Sequence, residues 1–356
     1  MKPVYFISRP KHSLLQLVLM ELAQLPEQPQ IPRMVYLMKS ELALRHFLNR
    51  DSTVKLTRYD DRKVAYEVER QLMSACTPPE YETGELAHMD SLVCEFSKLR
   101  SCTQLHNYKK NLDKTSSLLI LNNDKSYVDS LRTLVWKDEV SRPELYQCMG
   151  SFNTWSMGVY HSGVMGAGQL KIARIPRSRE EYDYDLSAGF EQVPLLSAIN
   201  DTKNLNPIYM KYTDFLVEQF ESMIVKTTVG SVSSLYGCSN GDLLKLKNVE
   251  SIMSLIIHDC LRVISTLEPT LDMAMLHKDR LIDVCIKTIK QTERTSTILQ
   301  RQIQKWNAAE IYNTTGYFSY MSRKNGVYCP QISLVSRILE DKISLAHLKN
   351  GEVSLD

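Results

Sequence analysis

The 356-residue sequence predicts an α/β domain followed by an all-α domain. Short apolar runs alternate with helix-patterned segments through the first half, and a polar stretch interrupts this pattern after residue 175. Beyond residue 207 apolar residues recur at helical spacing.

VYFI (4–7) reads as the first strand, and residues 13–25 follow with leucines at helical spacing up to Pro26. MVYLM (34–38) is a second strand and 41–49 a polar helix. SLVCEF (91–96) and SLLILN (117–122) are further strand runs, separated by a segment holding Leu99, Leu105 and Leu112. Strands separated by helices indicate βαβ units and a mostly parallel sheet. GVYHSG and GQLKIARI, within 158–175, have no helix between them and predict an antiparallel extension. Residues 176–207 hold PRSREEYDYDL and a loose polar stretch ending at Pro207, the composition of a linker. Ile252, Leu255, Ile256, Val263, Ile264 and Leu267 then keep a 3.6-residue rhythm until Pro269, and Leu281, Ile282, Cys285, Ile286 and Ile289 mark a second helix. The expected organisation is an α/β domain over 1–175, a linker over 176–207 and a helical domain over 208–356.

Hydrophobic residues make up 43% and charged residues 24%, the balance of a globular chain. A net charge of +2 excludes a globally basic nucleic-acid binder, so phosphate contacts would need a local patch. The eight cysteines form no CxxC pair and mostly sit in apolar runs, as free thiols of a reducing compartment do. His258 and Cys260 lack a second pair, so no metal site is expected. No window approaches the ~18 uninterrupted apolar residues of a membrane span. Lys2, Arg9, Lys11 and His12 precede the first acid, Glu21, and lead into SLLQLVLMELAQL. That pattern suits a first strand and helix, an organelle-targeting signal, or both.

Two C-terminal segments make a family resemblance specific. CSNGDLL (238–244) resembles the Cys-x-Asn-Gly-Asp-Leu turn of the ketopantoate reductases, and EIYNTTGYFSYMSRKNGVYCP (310–330) resembles their Glu-Ile…Gly-Tyr…Gly…Pro segment. The resemblance implies a Rossmann-like N-terminal domain and a helical domain like the C-terminal one of 6-phosphogluconate dehydrogenase. It places Lys98 where the family has a cofactor-contacting lysine, and Asn123 where it has an active-site asparagine. The family holds the pyrophosphate of NADPH on a Gly-x-Gly-x-x-Gly loop after the first strand. Those glycines permit a tight turn and bring backbone N–H groups to the phosphates at a helix N-terminus. Here the loop is SRPKHS (8–13), without glycine, and Pro10 lacks an N–H. The cofactor site is therefore expected to be lost. Aligned on CSNGDLL, the family's general-acid lysine falls on Ser222 and the two asparagines that follow fall on Lys226 and Gly230. A serine cannot supply the cationic acid that protonates an alkoxide as hydride arrives. Glu310 keeps the substrate-side carboxylate position.

A narrower resemblance, to mitochondrial translational activators of cytochrome b messenger RNA, is carried by LAQLPEQPQIP (22–32), HFLNRDSTV (46–54), SACTPP with GELA (74–79, 84–87) and YKKNLDKTSSLLILN (108–122). It implies a mitochondrial protein on the matrix side, peripheral to the inner membrane, with the messenger's 5′ leader and the mitochondrial ribosome as partners. Lys287, Lys290, Arg294, Arg301 and Lys305 face only Asp283 and Glu293 within 281–306, and Trp306 closes the stripe. On one continuous helix the five cations would share a face, either an RNA contact or simply a solvated surface. Two functions stay open: a catalytically inactive translational activator without cofactor, or an NADPH-dependent 2-oxo acid reductase using Lys226 as acid and Glu310 for substrate.

Overall fold

The computed structural model describes residues 2–7, 9–96, 99–305 and 308–349, and the chain divides into two units, Met1–Phe215 and Leu216–Asp356. Along the first unit run β1 (Val4–Ile7), α1 (Ser13–Leu22), β2 (Met34–Leu37), α2 (Glu41–Leu48), β3 (Thr53–Asp60), β4 (Lys63–Gln71), β5 (Met73–Ala75), β6 (Ser91–Cys94), β7 (Ser117–Ile120), α3 (Lys125–Leu134), β8 (Glu144–Gly150), β9 (Asn153–Gly158), β10 (His161–Met165), β11 (Leu170–Arg174), α4 (Pro194–Asn200) and β12 (Pro207–Met210). β1, β6 and β7 are buried at every position, as strands covered on both faces of a parallel sheet must be. They lie inside an eight-stranded sheet of order β12-β11-β8-β7-β6-β1-β2-β5. From β8 to β5 every pairing is parallel, while β11 runs antiparallel to β8. A second sheet has the order β4-β3-β10-β9.

α1 shares one core with both sheets and packs against β3, β9, β10 and α4. Leu15, Leu17, Val18, Leu19, Met20 and Leu22 are all fully buried, which explains a helix that is apolar nearly all round. Its two buried polar residues are both partnered. Gln16 accepts from Ser162 Oγ at 2.5 Å and donates to the Pro10 carbonyl at 2.8 Å. Glu21 takes Arg58 Nη2 at 2.5 Å on one oxygen and Asn204 Nδ2 at 2.9 Å on the other.

Three features depart from the expected pattern. The hairpin β3–β4 turns at Asp61–Arg62, both at positive φ (45° and 68°), with no glycine to signal a turn. The runs within 158–175 do not extend one sheet together. β10 is held between β9 and β3, and β11 between β8 and β12, so each run finds its ladder partners in a different sheet. The segment 176–207 is not a loose linker either. It carries α4, whose Leu195, Leu196 and Ile199 are buried in the first unit's core together with Leu186 and Leu205 on either side.

The second unit holds most of α5 (Tyr212–Tyr236), then α6 (Asn240–Leu243), α7 (Val249–Leu267), α8 (Lys278–Gln291), α9 (Ile298–Gln304), α10 (Ala309–Asn313), α11 (Thr315–Lys324) and α12 (Pro330–Lys349). α7 packs against α8, α11 and α12. Its buried Asp259 accepts from the Ile332 N–H at 3.0 Å and so caps the head of α12.

Breaking the Glu21–Arg58 pair leaves a carboxylate that is 3% exposed without its cation. Arg58→Ala is expected to lower the unfolding free energy by about 3–5 kcal/mol in urea titration. The double variant Glu21→Leu/Arg58→Met is expected to lose less, because it removes both charges.

Candidate functional site

Open parallel sheets bind ligands beyond the carboxyl ends of their strands, where the strand order reverses. In this sheet that point is β1, flanked by β2 and β6. The segments leaving β1, β6 and β7 are therefore the ones to inspect. Ser8 lies outside the described residues, and residues 9–12 run into α1. The Pro10 carbonyl accepts two bonds, from Gln16 Nε2 at 2.8 Å and from the Tyr160 N–H at 2.9 Å. The Arg9 carbonyl accepts from the Tyr36 hydroxyl at 3.4 Å and from the His12 N–H at 3.1 Å. Tyr160, itself at φ 60°, is buried against Tyr36 and Phe47. This loop presents side chains and occupied carbonyls where a phosphate-binding turn presents bare N–H groups.

The head of α1 is satisfied from the chain itself. His12 at the N-cap makes no capping bond, and the first turn contains no acid. Instead Glu95, one residue past β6, accepts from the Leu15 N–H at 3.0 Å. The Glu95 N–H donates to the Ile7 carbonyl at 3.2 Å, fixing the residue beside β1. Next to it, Asn122 accepts from the Phe96 N–H at 2.7 Å and donates to the Phe96 carbonyl at 2.8 Å, tying the end of β6 to the end of β7. Asn123, the expected active-site asparagine, is the partly buried neighbour of this clamp. Lys98 lies outside the described residues. Glu95 and Asn122 escaped the sequence reading. The one available signal was an acid closing the otherwise apolar run SLVCEF.

Burial pushes the Glu95 carboxyl up to about 7, against the lowering effect of the Leu15 N–H. Burial, with the Arg9 charge nearby, lowers the His12 imidazole to about 4 although a bond to the Glu95 backbone opposes this.

In the second unit Ser222, Lys226 and Gly230 follow one another at single-turn intervals along α5. Ser222 and Lys226 are partly buried, and Gly230 faces Leu299 of α9. Glu310 lies in α10, its N–H donating to Gln302 Oε1 at 3.0 Å. The CSNGDLL turn does structural work. Gly237, at φ 66°, ends α5. Asn240 Nδ2 donates to Thr292 Oγ1 at 2.8 Å, and the Gly241 N–H donates to the Glu293 carbonyl at 2.9 Å. A Cβ on Gly241 would come within 2.8 Å of the Glu293 Cβ. The motif thus fastens α6 to the turn after α8.

That turn also divides the basic stripe. Lys287 and Lys290 belong to α8, Arg294 to the turn, and Arg301 to α9, with Lys305 just after it. All five are exposed, but the helical continuity that would align them stops at Gln291 and resumes at Ile298. Trp306 lies outside the described residues.

The segments of the narrower resemblance converge in the first unit. Asn111, 2% exposed, donates from Nδ2 to the carbonyls of Pro79 at 3.0 Å and Ala87 at 2.8 Å, and its own carbonyl takes the Met89 N–H. One side chain of YKKNLDKT therefore closes the loop that begins at SACTPP and ends at GELA.

A parallel sheet with a reversal at its first strand, followed by a helical unit built on a long α5, is the ketopantoate reductase fold. Residues 214–342 match the family described as ketopantoate reductase PanE/ApbA C terminal. Across the chain, the cytochrome b translational activator CBS2 of Saccharomyces cerevisiae is 22% identical over 92% of this chain and 92% of its own length. A probable 2-dehydropantoate 2-reductase of Schizosaccharomyces pombe is 22% identical over 83% of this chain and 84% of its own. Among solved structures, a PanE/ApbA family ketopantoate reductase from Ralstonia eutropha superposes with a TM-score of 0.69 at 13% identity, covering 98% of this chain and 100% of that one. The fold implies NADPH. The residues at the head of α1 do not fit its diphosphate, because the Leu15 donor is already bound to Glu95 and Pro10 has no donor to give.

Two outcomes follow from this geometry. Glu95 contributes stability that is present below pH 4.5 and is lost as pH rises through about 7. Urea midpoints of the unaltered chain relative to Glu95→Gln are therefore expected to rise as pH falls from about 8 to 5, and the opposite slope would contradict the environment described for Glu95. His12 works in the other direction, its contribution being present above 6.5 and lost as pH falls through about 4, and it is common to both proteins. Separately, Gly241→Ala is expected to cost about 1–3 kcal/mol in the same titration through the clash with Glu293.

Proposed function

We propose that this chain is a catalytically inactive protein of the reductase fold that acts as a mitochondrial translational activator of cytochrome b messenger RNA. It works through the 5′ leader, the mitochondrial ribosome or both, on the matrix side and peripheral to the inner membrane. The observation that carries the loss of chemistry is the head of α1, where a glycine-free loop and Glu95 stand in place of a phosphate cradle. The general-acid position held by Ser222 agrees with it. Similarity to CBS2 over nearly the whole length of both chains supports the activator role. Two of the segments that carry the narrower resemblance meet at Asn111, and the exposed loop held there supports a surface as the working part. Among the described residues no helix is long and apolar enough to cross a membrane.

The test is pulse-labelling of mitochondrial translation products in a strain lacking the gene, together with NADPH titration of the purified chain. Cytochrome b synthesis is expected to disappear while other mitochondrial products continue, and NADPH is expected to leave the melting temperature unchanged. Normal cytochrome b synthesis would overturn the activator role. Saturable micromolar NADPH binding would stabilise by roughly 2.7 kcal/mol at a hundred times its Kd and would restore the reductase reading, with Lys226 as acid and Glu310 on the substrate side.

A further inference from the structure

The loss of glycines explains why a dinucleotide would bind poorly at the head of α1, but it does not explain what satisfies that helix in its absence. An α-helix presents four N–H groups at its N-terminus without internal acceptors. In dinucleotide-binding folds, phosphate oxygens take some of them. Here His12 caps nothing, the first turn holds no acid, and Pro10 has its carbonyl engaged elsewhere. The acceptor comes from 80 residues away in sequence: Glu95 Oε2 sits 3.0 Å from the Leu15 nitrogen. Its backbone is immobilised on both sides, by the Ile7 carbonyl at residue 95 and by the two Asn122 bonds at residue 96.

We propose that Glu95 is a resident acceptor occupying the seat that a dinucleotide's diphosphate takes in this fold, so that the chain closes its own anion site. The inference rests on the reading of the chain as cofactor-free and deepens it. A reductase of this fold draws stability from its cofactor by mass action. This chain supplies the acceptor covalently and holds the head of α1 in place at any cofactor concentration. A phosphate group and the Glu95 carboxylate exclude each other there, both by like charge and by competing for the same Leu15 donor.

The test uses the full chain at pH 6, below the pH at which the contribution of Glu95 is lost, with inorganic pyrophosphate as the probe, matched in ionic strength with sodium chloride. Glu95→Ser removes the acceptor and opens the seat, whereas Glu95→Gln keeps a neutral acceptor of the same length. The Ser variant is expected to melt about 3–6 °C lower and to recover at least half of that loss in 10 mM pyrophosphate. The unaltered chain and the Gln variant are expected not to respond. If the Ser variant does not fold on its own, soluble yield on refolding in pyrophosphate against chloride gives the same comparison, recovery supporting the proposal and no recovery overturning it. Equal stabilisation of the unaltered chain by pyrophosphate, or a Ser variant as stable as the unaltered chain, would also overturn it. NADPH stabilising the unaltered chain would defeat this proposal and the cofactor-free reading together. An unresponsive Ser variant beside an NADPH-silent unaltered chain would defeat only this one.

Discussion

A helix buried on every side still has to satisfy its ends, and that requirement at the head of α1 organises the first unit. The apolar surface of α1 joins two sheets in one core from Leu15 onward, which fixes the position of the helix whose first N–H groups need acceptors. Three segments are consequently drawn to it. Glu95 takes Leu15 from the end of β6, Gln16 holds the preceding loop through Pro10, and Ser162 holds Gln16 from β10. Further along the helix, Arg58 and Asn204 complete the same logic at Glu21. Replacing a glycine turn with SRPKHS is compatible with the fold because these contacts take over the orientation of α1 that a bound diphosphate would otherwise help to fix.

The second unit separates architecture from chemistry differently. The residues that make the family resemblance specific, Asn240 and Gly241 within CSNGDLL, fasten one helical turn to another and need no substrate to be useful. The general-acid position, Ser222, and the asparagine position Gly230 lie on the same α5, Gly230 facing Leu299.

The strands β1, β2, β6 and β7 were legible because burial on both faces demands uninterrupted apolar runs, and α7 because its rhythm ends at a proline. The hairpin β3–β4 was not, since its turn residues Asp61 and Arg62 adopt positive φ that their chemistry does not advertise. Residues 186–205 were misread for a related reason: of six buried apolar side chains, four sit in the two-turn helix α4, too short to show a clear period, and Leu186 and Leu205 stand alone in polar surroundings. At the candidate site, the missing glycines were visible in sequence, whereas the replacement was not. The bond from Leu15 to Glu95 links residues brought together only by the parallel pairing of β1 with β6. The alignment of the basic stripe was conditional on one continuous helix, and between Gln291 and Ile298 the chain instead turns to receive α6.

Asn111 joins two segments of the first unit that lie far apart in sequence. Segments 74–87 and 108–116 are separated in sequence by β6 and its neighbours, and nothing in a dinucleotide mechanism asks them to meet. They meet because a buried carboxamide serves the carbonyls of Pro79 and Ala87 at once, and its own backbone serves Met89. The loop so held shows Glu80, Tyr81, Glu82, Glu85 and Leu86 to solvent. An exposed loop that is fixed at its base loses little entropy on contact with a partner, which is the property that separates a recognition surface from an incidental one.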